Sequence, residues 1–216
     1  NLTLPQLSRH VVKAIVTQAM GMNDHSMLRP IMTRCTPPTS GASRVIRDHL
    51  VEMSENERRF VFEIFESGRS SQNSRVSEIS KMKMAASSLK TLQSFTGHEN
   101  ELRDSKVLYT SGLVNEICES GGKAIVFSEF INTAKEISSN LGTNLIGTIT
   151  GDTPSETRSA FLTGLKHSNS GAIVMTDVGG EGLDMQFVDC IVNHDLPWNP
   201  MILEQRIGRL DRIGRD

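Results

Sequence analysis

A chain of 216 residues, 37% hydrophobic and 22% charged, is long enough for one large domain or one domain with an appendage, and has the make-up of an ordinary globular protein. No apolar run approaches the ~18 residues that a membrane helix needs, which excludes a spanning helix, and the start has no secretory pattern. The net charge of −2 is uneven: residues 1–100 hold 13 Lys/Arg against 9 Asp/Glu, and residues 101–216 hold 10 against 16. A domain that grips nucleic acid strongly by itself is usually basic, so the second half can do so only through a local patch or with help from elsewhere.

In chain order, residues 4–20 read as a helix with Leu7, Val11, Ile15 and Val16 on one side. The Pro, Ser and Gly content of residues 35–43 marks a loop, and the β-prone residues Val45, Ile46, Leu50 and Val51 predict a strand over 44–53. Ser54 and Glu57 have capping-box spacing, so a helix is predicted from residue 55, with Phe60, Val61, Ile64 and Phe65 inward and a stop near Gly68. After a polar stretch at 69–74, one helix is predicted over 75–94.

From residue 104 the pattern becomes regular. A helix over 104–119 ends at Gly121-Gly122, and the apolar run KAIVFS (123–128) reads as a buried parallel strand. A helix carrying Phe130, Ala134, Ile137 and Leu141 follows, then a strand at 144–150. A helix at 154–167 with Phe161 and Leu165 inward precedes strands at 171–176 and 189–195. Strands alternating with helices predict an α/β fold, a parallel sheet with helices on both faces and right-handed crossovers, an arrangement that resembles a RecA-like lobe. Residues 1–100 read as a mainly helical linker and protrusion, and residues 101–216 as the lobe.

In such sheets the loops after the carboxyl ends of the strands build the site. The loop Thr176-Asp177-Val178-Gly179-Gly180-Glu181-Gly182-Leu183-Asp184 has three glycines, which let the backbone pass close to a ligand and offer it N–H donors; tight turns need glycine as well. Ser128 and Thr150-Gly151 stand at strand ends, where a hydroxyl or a free N–H can hold a phosphate without reading bases. Arg158, one turn into the next helix, can add charge. The same residues also fit strand-terminal turns and a surface arginine. In the last helix Leu203, Ile207 and Leu210 share one face, and Gln205, Arg209 and Arg212 share nearly the opposite one. Two permanently charged planar forks on a docked helix suit a triphosphate, although a solvated helix end carries the same residues.

The segment Gln205 to Gly214, Q-R-x-G-R-x-x-R-x-G, resembles the last motif of superfamily-two helicases and translocases. The longer string DLPWNPMILEQRIGRLDRIG (195–214) resembles SWI/SNF-type ATPases, especially the bacterial and archaeal RNA-polymerase-recycling type. The likeness covers 104–215 well and 28–95 loosely, where Leu28-Arg29-Pro30 through Arg34 looks like the segment linking two motor lobes, with the proline as a departure. The resemblance implies that Arg209 and Arg212 are arginine fingers acting on the γ-phosphate. It places Gly180, Gly182, Asp184 and Gln205 on the ATP side, and Ser128, Thr150, Gly151, Arg158 and Thr176 on the nucleic-acid backbone. Arg206 is assigned to structure or to a bridge between lobes. Asp184 stands where many relatives have Asn, and Ser155 where a Gln is frequent.

The sequence has no G-x-x-x-x-G-K-[ST] and no D-E-x-H, the elements that cradle phosphates and hold Mg²⁺. Those belong to a first lobe, so ATP and Mg²⁺ are expected to be bound mainly there, with no cofactor or metal expected on this chain alone. The chain begins with Asn and stops at Asp216, just after the arginine motif. It therefore reads as part of a longer protein, with an uncovered sheet edge and with residues 205–216 less ordered than the sheet. The implied partners are the first lobe, the duplex DNA backbone, and RNA polymerase or another protein complex; the implied setting is the bacterial or archaeal cytoplasm, near the nucleoid. Cys35, Cys118 and Cys190 lie far apart and are expected to be reduced. The alternative reading is a non-catalytic nucleic-acid-binding or regulatory module that shares the fold.

Overall fold

The computed structural model describes residues 28–35, 45–68, 75–97, 102–177 and 185–208. The helix predicted at 4–20, the stretch 69–74 and most of the loop at 35–43 lie outside them. The six strands β1 (Leu28–Cys35), β2 (Val45–Glu52), β3 (Lys123–Ser128), β4 (Leu145–Ile149), β5 (Gly171–Thr176) and β6 (Cys190–Asn193) form one sheet in the order β2-β1-β6-β3-β5-β4. Among the described residues seven helices accompany it: α1 (Glu55–Gly68), α2 (Arg75–Ser87), α3 (Leu89–Thr96), α4 (Ser105–Glu119), α5 (Ile131–Ser139), α6 (Ser155–His167) and α7 (Pro200–Gly208).

The four strands β3, β4, β5 and β6 are parallel, in register Ala124↔Ala172 and Ile125↔Ile173 on one side of β3 and Ala124↔Cys190 and Ile125↔Ile191 on the other. Alternation sorts their side chains into two cores. Ala124, Val126, Ala172, Val174, Cys190 and Val192 meet Val107 and Val114 of α4 and Ala134 and Ile137 of α5. Ile125, Phe127, Ile173, Met175 and Ile191 face the other way and meet Leu165, Phe161 and Leu162 of α6. The α/β lobe with helices on both faces is therefore present. At Gly147 a Cβ would sit 2.5 Å from the Phe161 ring, so this strand position needs glycine to let α6 pack closely.

Two features depart from the sequence expectation. Residues 28–35 form a strand, antiparallel to β2 and to β6, with Met32↔Asn193 and Cys35↔Cys190 as partners. The side of β6 away from β3 is thus paired, and the outer strands of the sheet are β2 and β4. The single helix expected over 75–94 is broken at Ser88, which is extended (φ −153°, ψ 154°) and caps α3 by accepting from the Thr91 N–H. A serine that offers its hydroxyl to the next turn competes with helix continuation.

The Ser54–Glu57 box forms reciprocally: Ser54 N–H donates to Glu57 Oε2, and Glu57 N–H to Ser54 Oγ at 3.3 Å. The buried Glu57 carboxylate also accepts from the Ser105 N–H at 2.8 Å and hydroxyl at 2.6 Å, which fastens the start of α1 to the start of α4. Asp104 caps α4 through the Lys106 and Val107 N–H groups and also accepts the Leu89 N–H that opens α3. Phe60, Val61, Ile64 and Phe65 of α1 pack with Ala85, Leu89 and Leu92 in a separate helical core. Cys118 and Cys190 are buried.

Candidate functional site at the carboxyl ends of the parallel strands

Because the four strands are parallel, Ser128, Thr150, Thr176 and Asn193 emerge on one edge of the sheet. The centre of that edge is buried and charged. Asp195, just beyond β6, accepts on Oδ2 from the Ser87 hydroxyl (2.8 Å), the Ser128 hydroxyl (2.8 Å) and the Glu129 N–H (2.9 Å), and on Oδ1 from Lys106 Nζ (3.2 Å). Both partners of the Lys106–Asp195 pair are almost fully buried, and Lys106 also donates to the Ala86 carbonyl at 2.8 Å. Burial raises a carboxyl's pKa, but the Lys106 ammonium and the donated hydrogen bonds overcome it and hold Asp195 well below the usual carboxylate range.

His194 is fully buried beside it. Its Nε2 faces the Ser87 carbonyl at 2.8 Å and its Nδ1 the Thr110 hydroxyl at 2.9 Å, so the neutral tautomer that donates from Nε2 satisfies both contacts. Burial, with Lys106 adding repulsion, pushes the imidazole down to about 4 against the opposing pull of Asp195. The joint between α2 and α3 is thus bolted to the end of β6 through the hydroxyl and carbonyl of Ser87.

Arg206 of α7 lies against the same edge, 3% exposed. Its Nε donates to Asp177 Oδ1 at 2.8 Å, its Nη2 pairs with the same oxygen, and its Nη1 donates to Asn193 Oδ1 at 2.6 Å and to the Asp195 carbonyl at 3.2 Å. The guanidinium stacks over the Phe127 ring, 4.5 Å from its centroid. Burial lowers its pKa, and Asp177 and Asp195 resist the fall. Leu203 is buried on the same side, while Glu204 and Gln205 are exposed.

A second arginine stands at the rim. Arg158, in the first turn of α6, donates from Nε to the Thr153 carbonyl (2.7 Å) and from Nη2 to the exposed Gly151 carbonyl (2.8 Å). Thr153 in turn accepts the Thr150 N–H at 2.9 Å. The structure therefore brings Thr150, Gly151 and Arg158 together in one half-open turn at the head of a helix. Thr176 is buried at the end of β5. Ser128 is fully buried, with its hydroxyl engaged by Asp195 and turned away from solvent. Gln205 is exposed on α7. Gly180, Gly182, Asp184, Arg209 and Arg212 lie outside the described residues.

Sequence reasoning missed Lys106, Asp177, Asn193, His194 and Asp195 as parts of this edge. A signal was available in the strand read as DCIVNHD: three polar residues directly after an apolar run must either reach solvent or find partners, and here they find partners.

The family model of the helicase conserved C-terminal domain matches residues 105–214. An uncharacterized ATP-dependent helicase, YqhH of Bacillus subtilis, is 34% identical over 121 residues, covering 53% of this chain and 20% of that protein. The RNA polymerase-associated protein RapA of Pectobacterium carotovorum is 32% identical over 113 residues, covering 52% of this chain and 10% of that protein. The chain thus spans only a fraction of the curated relatives it matches. The C-terminal domain of a Sulfolobus solfataricus SWI2/SNF2 ATPase superposes with a TM-score of 0.51 at 17% identity, covering 68% of this chain and 70% of that one, which is a likeness of fold. The match over residues 105–214, about half of the chain, establishes that the chain belongs to the helicase conserved C-terminal domain family, in keeping with the parallel sheet and the arginine-bearing helix docked on its carboxyl edge.

Proposed function

We propose that this chain is the second motor lobe of an ATP-dependent DNA translocase, and that it delivers Arg209 and Arg212 to a triphosphate held mainly by a first lobe. The observation that carries this reading is the orientation of α7. Leu203 and Arg206 are buried while Gln205 is exposed, so the helix shows its Gln205 side to the outside. Arg209 stands four positions after Gln205, on the same side of any helix that continues the turn. Gly180, Gly182 and Asp184 are assigned to the nucleotide with Gln205. A guanidinium fixed at the γ-phosphate stabilises the charge that develops in phosphoryl transfer, an effect of about 10³ to 10⁵ in rate in systems with such fingers.

Duplex DNA is assigned to the half-open turn of Thr150, Gly151 and Arg158 and to Thr176. These groups supply hydroxyl, amide and guanidinium donors to phosphates and carry no base information. Ser128 acts one step back, holding Asp195 and the end of β3. Closure of two lobes on ATP and their release after hydrolysis would alternate the grip on the backbone. RNA polymerase is the first protein partner to test, since the RapA relatives carry that association in their name.

The test uses the full-length protein. Arg209→Ala and Arg212→Ala are expected to lower DNA-stimulated ATP turnover by about 10³ or more while ATP binding stays within a few-fold. Turnover that survives both substitutions refutes the reading. An equal loss of binding and turnover makes these arginines ligands of the ground state instead.

A further inference from the structure

We infer that Arg206 and Asp177 form a positioning clamp that sets the arginine helix against the start of the glycine-rich loop, and that turnover depends on this pair although neither residue touches ATP. The inference rests on the reading of Arg209 and Arg212 as fingers. Asp177 directly follows β5 and opens the loop assigned to nucleotide; Arg206 lies three residues before Arg209. One guanidinium therefore joins three places at once: the loop's first residue through Asp177, the end of β6 through Asn193 and the Asp195 carbonyl, and the end of β3 through the Phe127 ring.

Arginine is needed for this geometry. Nε and Nη2 both reach Asp177, Nη1 reaches Asn193 and Asp195, and the flat face rests on the ring. An ammonium has no plane to stack and no second nitrogen to fork. The Asn193 amide is also fixed in orientation. Its oxygen must face Arg206, which only donates, and this leaves the buried Nδ2 without an acceptor among the described residues. A cluster concerned with stability alone gains nothing from a buried, unpartnered donor. The clamp is joined to the buried ion pair Lys106–Asp195 through the Asp195 carbonyl, so α7, Asp177 at the end of β5 and the α2–α3 joint share one hydrogen-bonded network.

The full-length protein tests this through Arg206→Lys, Asp177→Asn, the double variant, and Arg209→Ala as a reference. DNA-stimulated turnover, KM for ATP and thermal unfolding are measured for each. The clamp predicts that R206K lowers kcat by about 10- to 100-fold with KM within about threefold, the signature of misplacement and not of lost binding. D177N, at a partly exposed carboxylate and isosteric with it, is expected to lower kcat less. The double variant should be no worse than R206K alone, because the two side chains act as a unit. If R206K unfolds the protein, D177N alone decides, by a fall in kcat beyond twofold without a change in melting temperature. Near-wild-type kcat in the folded variants, while R209A is inactive, overturns the clamp and leaves the motor reading standing. Loss appearing wholly in KM also overturns it, since Arg206 would then bind nucleotide. An active R209A removes the motor reading itself.

Discussion

Two arginines stand on the same edge of the sheet and live under opposite conditions. Arg206 is dry, with its guanidinium donating to Asp177, Asn193 and the Asp195 carbonyl over an aromatic ring. Arg158 is half-exposed and donates to the Thr153 and Gly151 carbonyls of a loop. A buried charge that loses its partner cannot be rescued by water, whereas a rim charge can exchange a carbonyl for a phosphate at little cost. The central cluster is therefore read as scaffolding for chemistry, and the rim as the part that meets a ligand. Substitutions that separate stability from binding can break this contrast.

The largest effect is expected at the buried ion pair. Lys106→Met leaves Asp195 ionised with hydroxyl and N–H donors only, and should cost about 3–5 kcal/mol of folding stability, read from the urea midpoint. A cost below about 1 kcal/mol would show that the centre of the edge is wetter than its geometry implies.

His194 comes next, and its sign can be worked out. Its folded pKa, about 4, lies below the ordinary 6.5, so the native state favours the neutral ring. That contribution is fully present above pH 6.5 and is lost as pH falls through the window from 6.5 to about 4. A gap of that size corresponds to roughly 3 kcal/mol. Stability measured against pH should fall across this window in the wild type and fall less in His194→Gln; parallel curves would contradict the burial argument.

At the rim, Arg158→Ala should change stability by less than about 1 kcal/mol. In the full-length protein it should weaken duplex binding equally for all sequences and reduce the salt slope by about one. Sequence-dependent loss would mean that Arg158 reads bases. The smallest effect is expected at Lys83, which pairs with Glu129 at 2.9 Å and lies 4.9 Å from the centroid of the exposed Trp198. Lys83→Met should cost no more than about 1 kcal/mol, and less at high salt.

The same contrast explains what was legible in the sequence. KAIVFS and GAIVMT are short, mostly apolar runs bounded by turn residues, the pattern of an interior parallel strand, and both are buried on both faces. The Ser54–Glu57 box declared the start of α1. The break at Ser88 was harder to see, because Ala85, Ala86 and Leu89 continue a helical pattern through it and only the serine pair signals a cap. Strand β1 was not foreseen either, since its pairing is antiparallel to segments distant in the chain. At the site, residue type alone does not tell which way a strand-end hydroxyl points. Thr150 stays at the rim, while Ser128 turns inward to Asp195, 67 residues away. The resemblance set Arg206 apart from Arg209, as structural or as a bridge between lobes, but only the docking of α7 shows its partners Asp177, Asn193 and the Asp195 carbonyl.

The claim that this lobe supplies half of a composite ATP site is tested most directly by comparing the isolated chain with the full-length protein. ATP turnover would be measured for both at saturating duplex DNA, with and without Arg209→Ala. The account predicts turnover only in the full-length protein, and its loss on that substitution. Turnover by the isolated chain, above background and surviving Arg209→Ala, would contradict it.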